Sequence, residues 1–157
     1  MKKLFLFAAV AVFGLTSMNA QGLKAGVSGG FISGDFSDGY SFNISVDVTN
    51  LWDVSEDFDA GVTAGYSHSI GKDNIDAAGF LPIAGAARYN ISEEFTLGAD
   101  LGYAVGISPD GNDGGFYYSP RLQYGVSDSI DIVAAYRGVS VDGGTFNTIT
   151  FGVEFGI

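Results

Sequence analysis

From residue 23 to the C-terminus, large apolar side chains return at every second position through eight successive segments, and this period of two constrains the fold more than any other feature. In the last segment Ile149, Phe151, Val153, Phe155 and Ile157 share one parity, while Thr148, Thr150, Gly152, Glu154 and Gly156 share the other. Side chains of a strand alternate between its two faces, so each segment is a ribbon with one greasy and one polar side. Two architectures accept eight such ribbons. A soluble sandwich buries the apolar faces against each other, whereas a closed barrel in lipid turns them outward and keeps the polar groups in its lumen.

The segments lie near 23–34, 41–51, 58–70, 79–91, 95–107, 115–126, 130–139 and 146–157, long enough to cross a bilayer as tilted strands of about 9–11 residues. The apolar parity carries Leu23, Ala25, Val27 and Phe31 on the first and Phe42, Ile44, Val46 and Val48 on the second. It continues through Phe58, Ala60, Val62, Ala64 and Tyr66, then Leu81, Ile83, Ala87 and Tyr89. The fifth to seventh add Phe95, Leu97, Ala99, Leu101, Tyr103 and Val105, then Tyr118, Leu122, Tyr124 and Val126, then Ile130, Ile132, Ala134 and Tyr136. None of these positions is charged. The strand charges Lys24, Asp47, Asp59, Arg88, Asp100, Arg121, Asp131, Arg137 and Glu154 all fall on the opposite parity. A cation facing the lipid midplane costs about 2–4 kcal/mol, while one inside a narrow barrel can be paired. The expectation is an eight-stranded antiparallel up-and-down transmembrane β-barrel whose lumen is filled by an ion-pair network.

The N-terminus agrees with export. Lys2 and Lys3 precede an uncharged apolar run from Leu4 to Leu15, then Thr16, Ser17, Met18, Asn19 and Ala20, the pattern of a secretory signal peptide over residues 1–20. The run is too short for a membrane-spanning helix. Residues 21–157 are then one mature domain. The formal charge of −11 becomes more acidic once Lys2 and Lys3 are removed, which disfavours nucleic acid as a partner. With no cysteine there is no disulfide framework and no thiolate chemistry.

In an antiparallel pair, opposed residues have a constant sum of indices. A connection centred between Asp110 and Gly111 sets Asp100 opposite Arg121, and one centred between Asp73 and Asn74 sets Asp59 opposite Arg88. Lys24 is expected to meet Asp47 across the first hairpin, or Glu154 across the seam where the first and last strands join. The remaining lumen positions read mostly as Gly, Ala, Ser and Thr.

Over residues 23–157 the chain resembles the small eight-stranded outer-membrane barrels, the OmpA-like and OmpX-like group. That resemblance implies a monomer in outer-membrane lipid, delivered by the barrel-assembly machinery. Thr150, Gly152, Phe155 and Ile157 are similar to the C-terminal spacing by which such barrels are recognised for assembly, with Ile157 where the family commonly ends in phenylalanine. In that setting the compact connections after even strands, such as Asn90 to Glu94 and Val126 to Ser129, are expected to face the periplasm. The connections rich in glycine and aspartate, Ser33 to Gly39, Gly71 to Asp76 and Ser108 to Gly115, are expected to face outward. Phe58, Tyr89, Phe95, Tyr124 and Phe155 mark one aromatic girdle, and Phe31, Phe42, Tyr66, Tyr103, Tyr118 and Tyr136 the other.

Signs of catalysis are sparse. His68 is the sole histidine, and Ser67 and Ser69 beside it point to the other side of the sheet. Some barrels of the group are lipid A deacylases whose His and Ser lie two apart on one face; Ile70 stands at that place here. The loop Asp110 to Gly114 gathers oxygens suited to calcium but lacks the frame of an EF-hand, and turn chemistry accounts for its Asp, Asn and Gly. Pro82 and Pro120 cannot donate to a ladder and are expected at bulges or rims. The reading is a structural or surface-interaction barrel with no enzymatic activity and no cofactor. A narrow channel for water or small solutes is the alternative, and a lipid hydrolase the third.

Overall fold

The computed structural model describes residues 22–157; the segment read as a signal peptide lies outside them. Eight strands follow in order: β1 (Leu23–Gly34), β2 (Tyr40–Asp53), β3 (Phe58–Gly71), β4 (Ala78–Asn90), β5 (Phe95–Ser108), β6 (Gly114–Ser127), β7 (Ile130–Val141) and β8 (Gly144–Gly156). Each pairs antiparallel with its sequence neighbours, and β8 returns to β1 over eleven residue pairs, from Lys24 opposite Gly156 to Gly34 opposite Phe146. Closure leaves no unpaired edge, which a sheet in hydrocarbon requires.

The alternation seen in the sequence is realised on the surface. Phe31 is 65% exposed and Phe151 61%, while Thr150 between the outward Ile149 and Phe151 is fully buried. Apolar exterior and buried polar interior invert a soluble protein and suit a lipid surround. Aromatic pairs mark both ends of the apolar band: Phe95 and Tyr124 (centroids 5.0 Å apart) at one, Phe31 and Phe42 (5.7 Å) and Tyr118 and Tyr136 (6.5 Å) toward the other.

Three outward glycines are covered by aromatic rings. A Cβ on Gly29 would meet the Phe42 ring at 2.9 Å, one on Gly79 would meet the Tyr66 hydroxyl at 2.9 Å, and one on Gly138 would fall inside the Tyr118 ring. Each aromatic side chain reaches over a glycine of the neighbouring strand, where an added Cβ would collide with it, a device that also fixes register.

Both expected proline placements are corrected. Pro82 faces the lumen and Pro120 faces outward, each within its strand, and register shifts occur elsewhere. Pairing of β3 with β4 lapses between Ala64↔Ile83 and Ser67↔Phe80 and resumes with the same index sum; β6 and β7 do the same between Tyr118↔Gly138 and Arg121↔Ala135. A proline here removes one hydrogen bond without displacing the strand. The connections are also shorter than expected. The strands run on until the glycine- and aspartate-rich loops are only 35–39, 72–77, 109–113 and 142–143.

Candidate functional site

Among the described residues, the lumen divides into two layers. The layer nearer the compact turns holds a chain of charges. Arg88 Nη1 donates to Asp100 Oδ1 at 2.7 Å, and Asp100 Oδ2 lies 3.4 Å from Arg121 Nη2. Arg121 Nη1 donates to Glu154 Oε2 at 3.1 Å, and Gln123 Nε2 to Glu154 Oε1 at 2.8 Å. Lys24 Nζ is 3.6 Å from Glu154 Oε1 and donates to Asp131 Oδ2 at 2.8 Å. Separately, Arg137 grips Asp47 through two hydrogen bonds of 3.1 and 2.6 Å, a bidentate fork with an added contact to Ser28. Four cations meet four anions, so this layer is neutral.

The expected pairings hold in part. Asp100 lies opposite Ser119, and Arg121 opposite Gly98, because the β5–β6 connection centres between Pro109 and Asp110, one residue earlier than expected. A one-residue shift of centre changes the index sum by two and preserves parity, so both charges still enter the lumen and meet diagonally. Asp59 does lie opposite Arg88, yet Arg88 turns to Asp100, and Asp59 stands at the rim opposite Asp53, outside the network. Lys24 lies opposite Thr49 and Gly156; it joins Asp131 and Glu154, and Asp47 belongs to Arg137.

The layer nearer the longer connections sets a large apolar cluster beside Asn43, Ser67 and Ser69, which corrects the expectation that its lining is mostly Gly, Ala, Ser and Thr. Ile32, Ala78, Phe80, Ala84, Ala104, Tyr117, Val139 and Phe146 form one buried cluster, with Phe36, Tyr40 and Val141 packed on it. Phe146 is the hub, its ring 5.3 Å from Phe36, 5.0 Å from Tyr40 and 5.2 Å from Phe80. The signal was present in the sequence: Phe80 shares parity with Arg88, and Phe146 with Glu154. Below Phe146 two small cavities measure about 10 Å³ each, room for roughly one water.

His68 faces outward, its Nδ1 3.1 Å from the Tyr66 hydroxyl, whereas Ser67 and Ser69 face inward and accept hydrogen bonds from Asn43 Nδ2. In the 109–113 connection, Asn112 Nδ2 donates to Ser108 O (2.9 Å) and Asn112 Oδ1 accepts from Gly114 N (3.1 Å). Among the described residues no three His, Asp or Glu side chains converge as metal ligands. Of the C-terminal group, Thr150 and Gly152 face the lumen, Phe155 faces outward, and Ile157 N donates to Leu23 O at 3.0 Å.

A closed eight-stranded barrel, apolar outside and ion-paired within, is a membrane-spanning β-barrel. The sequence matches the model of the outer membrane protein beta-barrel domain over residues 5–156, and the chain belongs to that family. The family implies the outer membrane as its location. No curated protein sequence matches it. Among solved structures, the barrel is similar to a de novo designed transmembrane β-barrel (TM-score 0.60, 15% identity, 89% of this chain and 98% of that one). It is also similar to Neisserial surface protein A (0.57, 16%, 88% and 98%) and to Ail, the attachment invasion locus protein of Yersinia pestis (0.56, 16%, 85% and 95%). At these identities the likeness is one of fold.

Proposed function

We propose that this chain is a non-conducting, non-enzymatic surface barrel of the outer membrane that acts through the acidic end carrying its longer connections. The observation that carries the reading is the filled lumen, where a neutral ion network and the Phe146 cluster are stacked across an interior only wide enough for side chains. A pore needs a continuous wet path, and two single-water cavities do not make one. The test is conductance of the refolded protein in a planar bilayer. The expected record has no discrete steps above the lipid baseline, and reproducible unitary steps would overturn the reading in favour of a channel.

The interacting end carries Asp35, Asp38, Asp73, Asp76, Asp110, Asp113 and Asp142 against the single cation Lys72. One structure of Ail holds the heparin analogue sucrose octasulfate, a polyanion. The charge on this chain opposes such a ligand and favours a basic partner. His68 and its neighbouring serines on opposite faces support the non-enzymatic reading. Export through cleavage after Ala20, recognition of Thr150, Gly152, Phe155 and Ile157 by the assembly machinery, and a monomeric state in outer-membrane lipid complete the proposal. Mass spectrometry of protein from outer membranes is expected to give a chain beginning at Gln21.

A further inference from the structure

The Phe146 cluster is the floor of an open cavity of about 250 Å³ at the end carrying the longer connections. This is near the lower limit for small-molecule sites, about 300 Å³. Phe36, Tyr40, Phe80 and Phe146 give it an apolar, π-rich base, and Asp110, Asp113 and Asp142 stand among the residues that line it. These three aspartates are exposed and take part in none of the ion pairs among the described residues. The four cations on the strands, Lys24, Arg88, Arg121 and Arg137, are all paired within the lumen, so no positive charge of the barrel wall answers these aspartates.

The walls are also held in place. Asn112 ties the connection bearing Asp110 and Asp113 to Ser108 and, at 3.4 Å, to Gly79 O. Asp35 Oδ2 accepts from Thr145 N at 3.0 Å, joining the 35–39 connection to the turn that bears Asp142. Lys72 Nζ donates to Ser37 O at 2.9 Å, bracing the same connection from the other side. A cavity whose loops are already ordered costs little entropy to fill.

We infer that this cavity binds a small organic cation, an ammonium group carried on a compact apolar body. The body would replace water over the Phe146 and Phe36 rings, and the charge would gain from both the negative ring faces and the unpaired carboxylates. Anions of the same size meet the same rings and are repelled by the rim. The aromatic floor distinguishes this site from a merely acidic surface, since a cation without an apolar body forgoes the contact with the rings.

The probe is benzyltrimethylammonium, titrated into the full barrel in nanodiscs of zwitterionic lipid and followed by NMR shifts. Benzoate and tetramethylammonium serve as comparators. Saturable shifts confined to residues lining the cavity are expected, with a dissociation constant of about 1 mM. Benzoate should give none, and tetramethylammonium should bind about fivefold more weakly. The triple variant D110N/D113N/D142N, whose changes lie in exposed connections, should weaken binding about fivefold or more, as should F36A. Unchanged strand amide spectra verify that the variants remain folded. Equal binding of benzoate, an unaffected triple variant, shifts spread over lipid-facing residues, or no saturation up to about 20 mM would each overturn the proposal. Conductance does not enter this test, so its outcome is independent of whether the lumen is closed.

Discussion

At the scale of single residues, Arg88 shows how partner choice is settled. Asp59 faces it in register, but Asp59 sits at the partly exposed rim across from Asp53, while Asp100 is 1% exposed on the next strand. Attraction between charges strengthens as the surroundings lose water, so the buried partner wins. Replacing Asp100 by Asn should therefore destabilise the barrel by about 3 kcal/mol, since it strands the buried Arg88 guanidinium and leaves Arg121 with Glu154 alone, whereas Asp59→Asn should cost less than about 0.5 kcal/mol. Urea unfolding in lipid vesicles measures both. A double-mutant cycle on Asp47 and Arg137 should show coupling of about 2–3 kcal/mol, because each leaves the other unpaired when removed alone. The parity of every charge was legible in the sequence because the sheet period is fixed. The pairings were only partly so: Arg and Lys side chains reach across diagonals, and one residue of uncertainty in a turn centre displaces each opposed pair by two positions.

Among elements, the strands themselves were the most legible feature, with every boundary found within about two residues because alternation and turn chemistry agree. What the pattern hid was the inward placement of Ile32, Phe80, Tyr117, Val139 and Phe146, since an apolar residue on the charged parity reads as noise until several are seen to converge. The rings over Gly29, Gly79 and Gly138 were equally hidden, because a glycine in a strand does not announce its cover. Gly138→Ala should force Tyr118 off β7 and break its 3.1 Å hydrogen bond to Asn147, destabilising the barrel by about 1–3 kcal/mol. The paired change Gly138→Ala with Tyr118→Ala should cost less than the sum of the two single changes. On the lipid face, Ala134→Arg near the middle of β7 should cost about 2–4 kcal/mol, read from the same unfolding curves.

For the whole molecule, a packed lumen predicts restricted access from water. A cysteine at Thr150, fully buried beside the network, should resist a membrane-impermeant maleimide in the lipid-embedded barrel, while one at the exposed Asp142 should react readily. Equal labelling of both would show an open interior. The arrangement of the ion network bears on how such a barrel comes to be finished. Asp100 and its two arginines join β4, β5 and β6, which are neighbours in sequence. The remaining links tie β6 to β8, β8 to β1, β1 to β7 and β7 to β2. The last three of these cannot form until the two ends of the chain have been brought round to each other. A ribbon of eight paired strands with its seam still open thus carries Lys24, Asp131, Asp47 and Arg137 without their partners, next to hydrocarbon that penalises each one. Sealing the seam neutralises all of them in one event, so the half-closed forms stand higher in energy than either neighbour on the path. The last step of assembly becomes a latch that is either shut or open.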